Sequence, residues 1–297
     1  MKRLASLASF VVLFVAACGS VGVQAHTLSL AYKSGETYKY SLHIVLKYTI
    51  AAQGVSVPFN LDVAAKEAVK VKSVDSSGTA DLTIDLTDLA VKTTINGTTN
   101  TTTTTTTTSV EVKVASDGRI VSVNGSALGS SGSLPGVSGA EGGLVSAILP
   151  DKPVKPGDTW MKNYDHTNPM NSTGSYRVTT DNKYLRDEKV GSLSTAVVES
   201  TINAALDLTF DLSSVSGESG ASLFPSGAAL KGMSMKGIVK SDVTTWIDIS
   251  ARRIVKSHST GSVDATITLD MAPGSTTAGL SGPIAFKGTQ TLDMNPV

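Results

Sequence analysis

The chain has 297 residues, with 25 basic and 25 acidic side chains, and only 17% of it is charged. That balance argues against an electrostatic binder of nucleic acid, which needs an excess of Lys and Arg. Plentiful Thr, Ser, Gly and Val with 5% aromatics are the composition of a β-rich exported protein with an aliphatic core, rather than of a helical cytosolic enzyme.

Met1-Lys2-Arg3 is a short basic start, and Leu4 to Ala17 is an apolar run without a charge. The run has the length of a signal-peptide core and is too short to cross a bilayer by itself. Two processing sites compete within residues 1–25. "VAAC", Val15 to Cys18, resembles the lipobox of bacterial lipoproteins, whose cysteine is lipidated and becomes the new N-terminus. "VQA", Val23 to Ala25, is an ordinary secretory site that would leave His26 first. Cys18 is the single cysteine of the chain and falls where a lipobox needs one, so lipidation at Cys18 is the preferred expectation. The protein is then exported and anchored to the outer face of the cell membrane or envelope, the alternative being a secreted or periplasmic form cut after Ala25. Either product lacks a disulfide, so packing and strand pairing must stabilise it.

Strand periodicity is clear from the start of the mature chain. In "YKYSLHIVLKYTI", Tyr38, Tyr40, Leu42, Ile44, Leu46, Tyr48 and Ile50 are apolar at every second position, with Val45 the one exception among the residues between. This predicts a long half-buried strand. "AAQG" turns the chain, and Val55, Val57, Phe59, Leu61 and Val63 resume the alternation on the return. Further strands are expected at "EAVKVKSV" and at "TADLTIDL". In "SVEVKVASDGRIVSVNG", Asp117-Gly118 supplies a hairpin turn.

The tract "NGTTNTTTTTTTTSVEV", residues 96–112, could be a linker, a sugar-bearing stalk or a strand. Threonine is β-branched and favours strands, and a mucin-like stalk would want proline, of which the tract has none. It therefore reads as the first half of a long strand after an Asn96-Gly97 turn. Thr102, Thr104, Thr106 and Thr108 then lie on the apolar side, in register with Val110, Val112 and Val114. A uniform tract cannot fix its own register, so the valines must.

A Gly/Ser-rich stretch follows from residue 125, and "GLVSAIL", 143–149, allows one or two turns of helix ended by Pro150. The second half then echoes the first. "SGETYKY" is matched by "PGDTWMK", "SSGTADLTIDL" by "SLSTAVVES", and "VEVKVASDGRIVSV" by "TTWIDISARRIVKS", in the same order. Aligning "DGRIV" with "ARRIV" sets the threonines opposite Gly237 to Val243, another strand. The fold class is mainly β, or β-rich α+β at most. Long antiparallel strands in two divergent tandem repeats form curved sheets or half-barrels, with one short helix near 143–149. The expected organisation is a signal peptide over 1–25, a first β repeat over 26–125, a linker with the short helix over 126–149, and a second β repeat over 150–297 with extra strands at 262–271 and 283–294.

"LPDKPVKPGDTW", Leu149 to Trp160, resembles a signature of uncharacterised exported bacterial proteins, often lipoproteins, of the form LP-x-K-x-V-x-x-GD-x-W. The order of G-x-x-Y, strands, DGRIV, LPDKPV and GDTW is similar over most of the mature chain. That family brings no assigned activity. In architecture alone, tandem long-strand lipoproteins resemble the half-barrel carriers that shuttle lipids or lipoproteins across the envelope.

Catalytic motifs are absent from the sequence: no G-x-S-x-G elbow, H-E-x-x-H, Walker loop, G-x-G-x-x-G or calcium loop occurs. The four histidines, His26, His43, His166 and His258, are far apart. His43 lies on the polar side of the first strand beside Lys39 and Lys47, and His258 ends a strand, so both read as solvated. Asp165-His166 lies in a polar loop without a nucleophile. His26 could chelate copper through its amine and ring if cleavage follows Ala25, provided the fold brings a second histidine close. Arg252, Arg253 and Lys256 read as a solvated basic face. Asn96, Asn100, Asn124 and Asn171 match N-x-[ST] incidentally. No catalytic residue and no cofactor is expected, and the ligand-binding residues are left open.

The function expected is a non-enzymatic envelope protein that binds an apolar ligand or lipid on a curved sheet. A cell-surface structural or interaction module is the alternative, and a hydrolase without a linear motif stands behind both.

Overall fold

A computed structural model describes residues 24–124, 148–167, 173–211, 230–271 and 282–297. Twelve strands run in chain order: β1 Thr37–Ala52, β2 Val55–Val74, β3 Ala80–Ile95, β4 Thr98–Thr104, β5 Thr108–Val114, β6 Ile120–Asn124, β7 Thr159–Thr167, β8 Thr173–Val190, β9 Leu193–Asp211, β10 Leu230–Asp248, β11 Ile254–Met271 and β12 Ile284–Pro296. There is no helix among the described residues. The expected turn of helix at 143–149 lies outside them except for Ile148 and Leu149, which are irregular.

All strands belong to one antiparallel sheet of order β6-β5-β3-β2-β1-β12-β11-β10-β9-β8-β7, with β4 also on β3. Followed from β7, this is a simple meander up to β12, which pairs with β1 so that a second meander continues to β6. The sheet's two edges, β6 and β7, are therefore consecutive in the chain.

The strands form where the alternation predicts them. The first hairpin turns at Gln53 and Gly54, both with positive φ (50° and 80°), the two-residue geometry whose twist matches its strands. "EAVKVKSV" is not a separate strand: β2 runs unbroken for 20 residues, because the odd positions from Val57 to Val71 keep facing the core. Glu67 sits at one of those positions, and its charge disguised the continuity.

The threonine tract is strand, as read. Asn96 and Gly97 form the turn, with φ of 48° and 85°. β4 then pairs with the far half of β3 and β5 with its near half. The ladder is interrupted at 105–107, next to Asp88 of β3, whose φ is 51°. Thr104 and Thr108 are half-buried on the apolar side, whereas Thr102 and Thr106 are exposed and Thr106 falls in the break.

The matched segments of the two halves also fold alike. Gly35 N–H donates to Val71 O and Gly157 N–H to Tyr184 O, each entering a strand through a positive φ. In the hairpin "DGR", Gly118 has φ 92°. Arg252, in the corresponding "ARR", is forced to φ 55° without glycine's freedom. β11 continues from 254 to 271, so the extra strand expected at 262–271 is its second half.

One end of the sheet is plugged. Residues 26–32 run across it, with Leu28, Leu30 and Tyr32 buried. The backbone of His26 exchanges two hydrogen bonds with Val154, Leu30 N–H donates to Ser116 O, and Ala31 N–H donates to Arg252 O. Leu149 N–H donates to Asp117 O in the β5–β6 turn, and Trp160 Nε1 donates to Ile148 O at 2.7 Å. These bonds hold the turns of β5–β6 and β10–β11 and the approach to β7 together, so the sheet curls around its inward face at this sealed end. One hydrophobic cluster reaches from β1 through β12 to β8 and includes the plug.

Close strand packing requires glycine at one position in particular. A Cβ on Gly288 of β12 would lie 2.1 Å from Tyr48 Cδ1 and 2.2 Å from Lys47 O. The Tyr48 ring occupies that space and packs against Phe286, centroids 4.5 Å apart. Gly288→Ala is expected to destabilise the protein by at least about 1–3 kcal/mol, the usual range for overpacking, because the backbone oxygen cannot move aside as a side chain can. Equilibrium denaturation measures it, and a change within about 0.5 kcal/mol would contradict this packing.

Candidate functional site: the inward face of the sheet

Residues directly opposite on neighbouring strands share a face. Even positions of β1 therefore face inward together with odd positions of β2 and β11 and even positions of β12. The outward face of β1 and β2 carries exposed Lys39, His43, Lys47, Asp62, Lys66, Lys70 and Lys72. A barrel facing lipid has the opposite pattern, apolar outside and polar within.

Burial along the inward face is graded. Near the sealed end, Tyr40, Leu42, Ile44, Val69, Val71, Leu82 and Ile84 are fully buried. Toward the far end of β2 and β3, Val57, Phe59, Leu61, Val63, Leu86, Leu89 and Val91 are only half-buried. Thr104 and Thr108 continue this partly open apolar strip onto the threonine strand. Met233 of β10, Leu269 of β11 and Ala204 of β9 are partly buried on the same inward face and pack on the core.

Polar groups on this face divide into satisfied and unsatisfied ones. Asn182 of β8 accepts from Ser200 Oγ at 2.7 Å and donates to Thr180 Oγ1 at 2.9 Å and Trp160 O at 3.2 Å. In contrast Glu67 Oε2, Ser257 Oγ and Ser29 Oγ are buried without a hydrogen-bond partner. Glu67 is 3% exposed and faces Tyr40 on β1 and Leu86 on β3. Burial pushes its carboxyl up to about 7, because the charged form is denied water.

A tyrosine cluster lies next to it at the sealed end. Tyr40 donates to Ile254 O at 2.7 Å, the Tyr32 and Tyr38 rings are 5.9 Å apart, and the Arg253 guanidinium lies 4.8 Å over Tyr38. Burial raises Tyr40 to about 12, against Arg253, which lowers it. Burial, with contributions from Tyr40, Tyr38 and Glu67, holds Tyr32 far above the usual phenol range.

The residues named from sequence fall elsewhere. Cys18 lies outside the described residues. His26 is in the plug, 3.7 Å from Asp187 through Nε2. Among the described residues no three His, Cys, Asp or Glu side chains are placed to hold a metal. His43 is exposed and contacts Asp62 at 3.0 Å. His258 is within β11 rather than at a strand end, and its Nδ1 is 2.7 Å from Asp293. Pairing sets His43, Asp293 and His258 in one outward row across β1, β12 and β11, a juxtaposition that linear spacing could not show. Asp165 and His166 belong to strand β7, not to a loop. Arg253 covers Tyr38, Lys256 lies 4.7 Å over the Trp246 ring, and Arg252 Nε donates to Ser29 O, so these three cations are engaged locally. On the outside of β9–β12 a polar groove of about 380 Å³ is lined by Thr201, Asn203, Asp242, Thr260 and Thr291, among others.

No protein-family model matches the chain, and no curated protein matches it. Among solved structures it is similar to DynF from the dynemicin biosynthesis pathway of Micromonospora chersina. The identity is 8% and the TM-score 0.24, over 93% of this chain and 86% of that one.

Glu67 makes stability depend on pH with a definite sign. Its folded pKa lies above its unfolded value, so the native state holds the proton more tightly. The contribution is complete below the unfolded carboxyl pKa and is lost as pH rises through about 7. Glu67→Gln, which does not titrate, should therefore gain stability relative to the parent between pH 5 and 8.5, by up to about 3 kcal/mol. Denaturation of both proteins across that range checks it, and parallel curves would show that the carboxyl is not held neutral.

Proposed function

We propose that the protein is an exported envelope protein, anchored through lipidated Cys18, that binds an apolar ligand along the far half of its inward face and performs no chemistry on it. The graded burial carries this reading. A protein that needed only a stable core would bury Phe59, Leu61, Val63, Leu89 and Val91 as fully as it buries Leu42 and Ile84. Instead a continuous apolar strip stays partly open on one inward face, bounded by a plugged end. Exposed apolar surface of that kind is a binding surface more often than an accident.

The plug also bears on orientation. His26 is fixed at the sealed end by its bonds to Val154. It lies eight positions after Cys18, a reach of at most about 28 Å when extended. A lipid at Cys18 would hold the sealed end toward the membrane and leave the strip on β2 and β3 turned away from it. Of the three histidines with carboxylate partners, His26 sits in the plug and His43 and His258 lie on the outward face, away from the strip.

Solvent extraction of the protein purified after export, followed by mass spectrometry, is expected to yield a stoichiometric amphiphile. Val63→Glu, at a half-buried position of the strip, should reduce the recovered ligand at least about tenfold while the protein stays folded by circular dichroism. Empty extracts from the parent, with no binding of the apolar fluorophore N-phenyl-1-naphthylamine, would remove this function.

A further inference from the structure

Burying an ionisable group without a partner costs stability, and native folds retain few such groups. Glu67 is one, and it stands on the apolar face of β2 where every other inward position from Val57 to Val71 is aliphatic, aromatic or alanine. Its place in the burial gradient is specific. Val63, four residues toward the far end, is half-buried, and so are Leu86 directly across on β3 and Thr108 beyond it on β5. Glu67 therefore marks the floor of the partly open strip, where it meets the sealed core.

A second unpartnered polar atom lies at a neighbouring height. Ala65 pairs with Leu42, Leu42 with Met294, and Met294 with Ser257, so Ser257 faces inward one step from the level of Glu67. Its Oγ is buried and has no partner. The satisfied Asn182–Ser200–Thr180 set shows that the fold can pair buried polar groups where it has them. Packing alone gives no reason for leaving Glu67 and Ser257 open.

We infer that Glu67 is the head-group anchor of the strip, and that the ligand is an amphiphile whose head donates hydrogen bonds and is not anionic, a long-chain amine or alcohol rather than a carboxylate. This rests on the carrier reading above. The chain of such a ligand lies along Val63, Leu61 and Val91, and its head displaces Leu86 to meet Oε2 of Glu67. The ammonium or hydroxyl supplies the donor the carboxyl lacks, and a fatty carboxylate is rejected by charge. Specificity then follows from an acceptor that a wrong head leaves unpaired. The groups facing Glu67 from the packed elements are Tyr32 of the plug and Tyr40 of β1, with Arg253 behind them at Tyr40 and Tyr38. Both phenols are raised by burial and stay neutral near pH 7.

The test uses the processed protein with N-phenyl-1-naphthylamine as the reporter, displaced by dodecylamine, 1-dodecanol or dodecanoate. At pH 8 the parent is expected to bind dodecylamine at least about tenfold more tightly than dodecanoate, with dodecanol between them. Glu67→Gln should cut that preference below about threefold, and the parent's preference should shrink at pH 5.5. An unaltered preference in Glu67→Gln, or tighter binding of dodecanoate by the parent, overturns the anchor and leaves the apolar strip standing. Failure of the parent to bind the reporter or any of the three chains overturns both. Glu67→Leu is the control for structure. It should melt at a higher temperature at pH 8 yet lose the amine preference, whereas a purely structural Glu67 would leave that preference intact.

Discussion

The pairing of β1 with β12 is the interaction on which the rest depends. It joins twelve consecutive residue pairs, from Tyr40–Pro296 to Ala51–Ala285, between the first strand and the last. Without it the chain would be two open sheets with four edges, each a template for unwanted pairing. With it, the main path of the sheet ends at β6 and β7, with β4 paired on one side to β3, and the near ends of β6 and β7 are drawn together by 148–154 and 26–32. The pairing also sets which residues share a height. It places Tyr48 over Gly288, His43 beside Asp293, and Leu42 next to the row that leads to Ser257. Long-range register of this kind is cooperative, since a slip by one residue would turn every inward side chain outward.

A sheet joined in this way is still open between β6 and β7, and its two ends are filled differently. The plug supplies Leu28, Leu30 and Tyr32, and the stretch before β7 supplies Leu149 and Val154, all buried. These are short extended segments rather than strands of the sheet, held by a handful of backbone bonds. Stability is concentrated where they pack, which leaves the far half of β2 and β3 with weaker burial and freer side chains.

Much of this was legible in the sequence, for definite reasons. β1 and the first half of β2 alternate without interruption, and their turn residues tolerate positive φ, so strand, face and hairpin could all be read locally. The threonine tract could be read because Val110, Val112 and Val114 fix its phase, and because Asn96-Gly97 is a turn pair. The break at 105–107 could not, since it answers an irregularity at Asp88 on a different strand and nothing in a run of identical residues marks it. β2 was cut in two by reading, because Glu67 on an apolar face looks like the end of a strand. The row His43–Asp293–His258 depends on a pairing between residues 250 positions apart, which periodicity does not encode. The plug was missed because a segment of seven residues with alternate leucines bears no sign of what it will cover.

The residue that spoiled the strand reading is also the one that most needs a functional account. At an inward position flanked by Ala65 and Val69, a leucine would satisfy the alternation, fill the core and remove an unpaired carboxyl. Replacing isolated buried charge by hydrocarbon is commonly stabilising, so stability alone does not favour glutamate here. A carboxyl held near neutrality can present either a proton or a charge with little further cost, which fits the proposed meeting with a polar head at the floor of the apolar strip. The same burial that weakens the empty protein removes competing water from Oε2, so a donor arriving there meets an acceptor whose attraction is barely screened. Binding would then restore the stability that Glu67 withholds from the free fold, and an occupied carrier would be the more stable form.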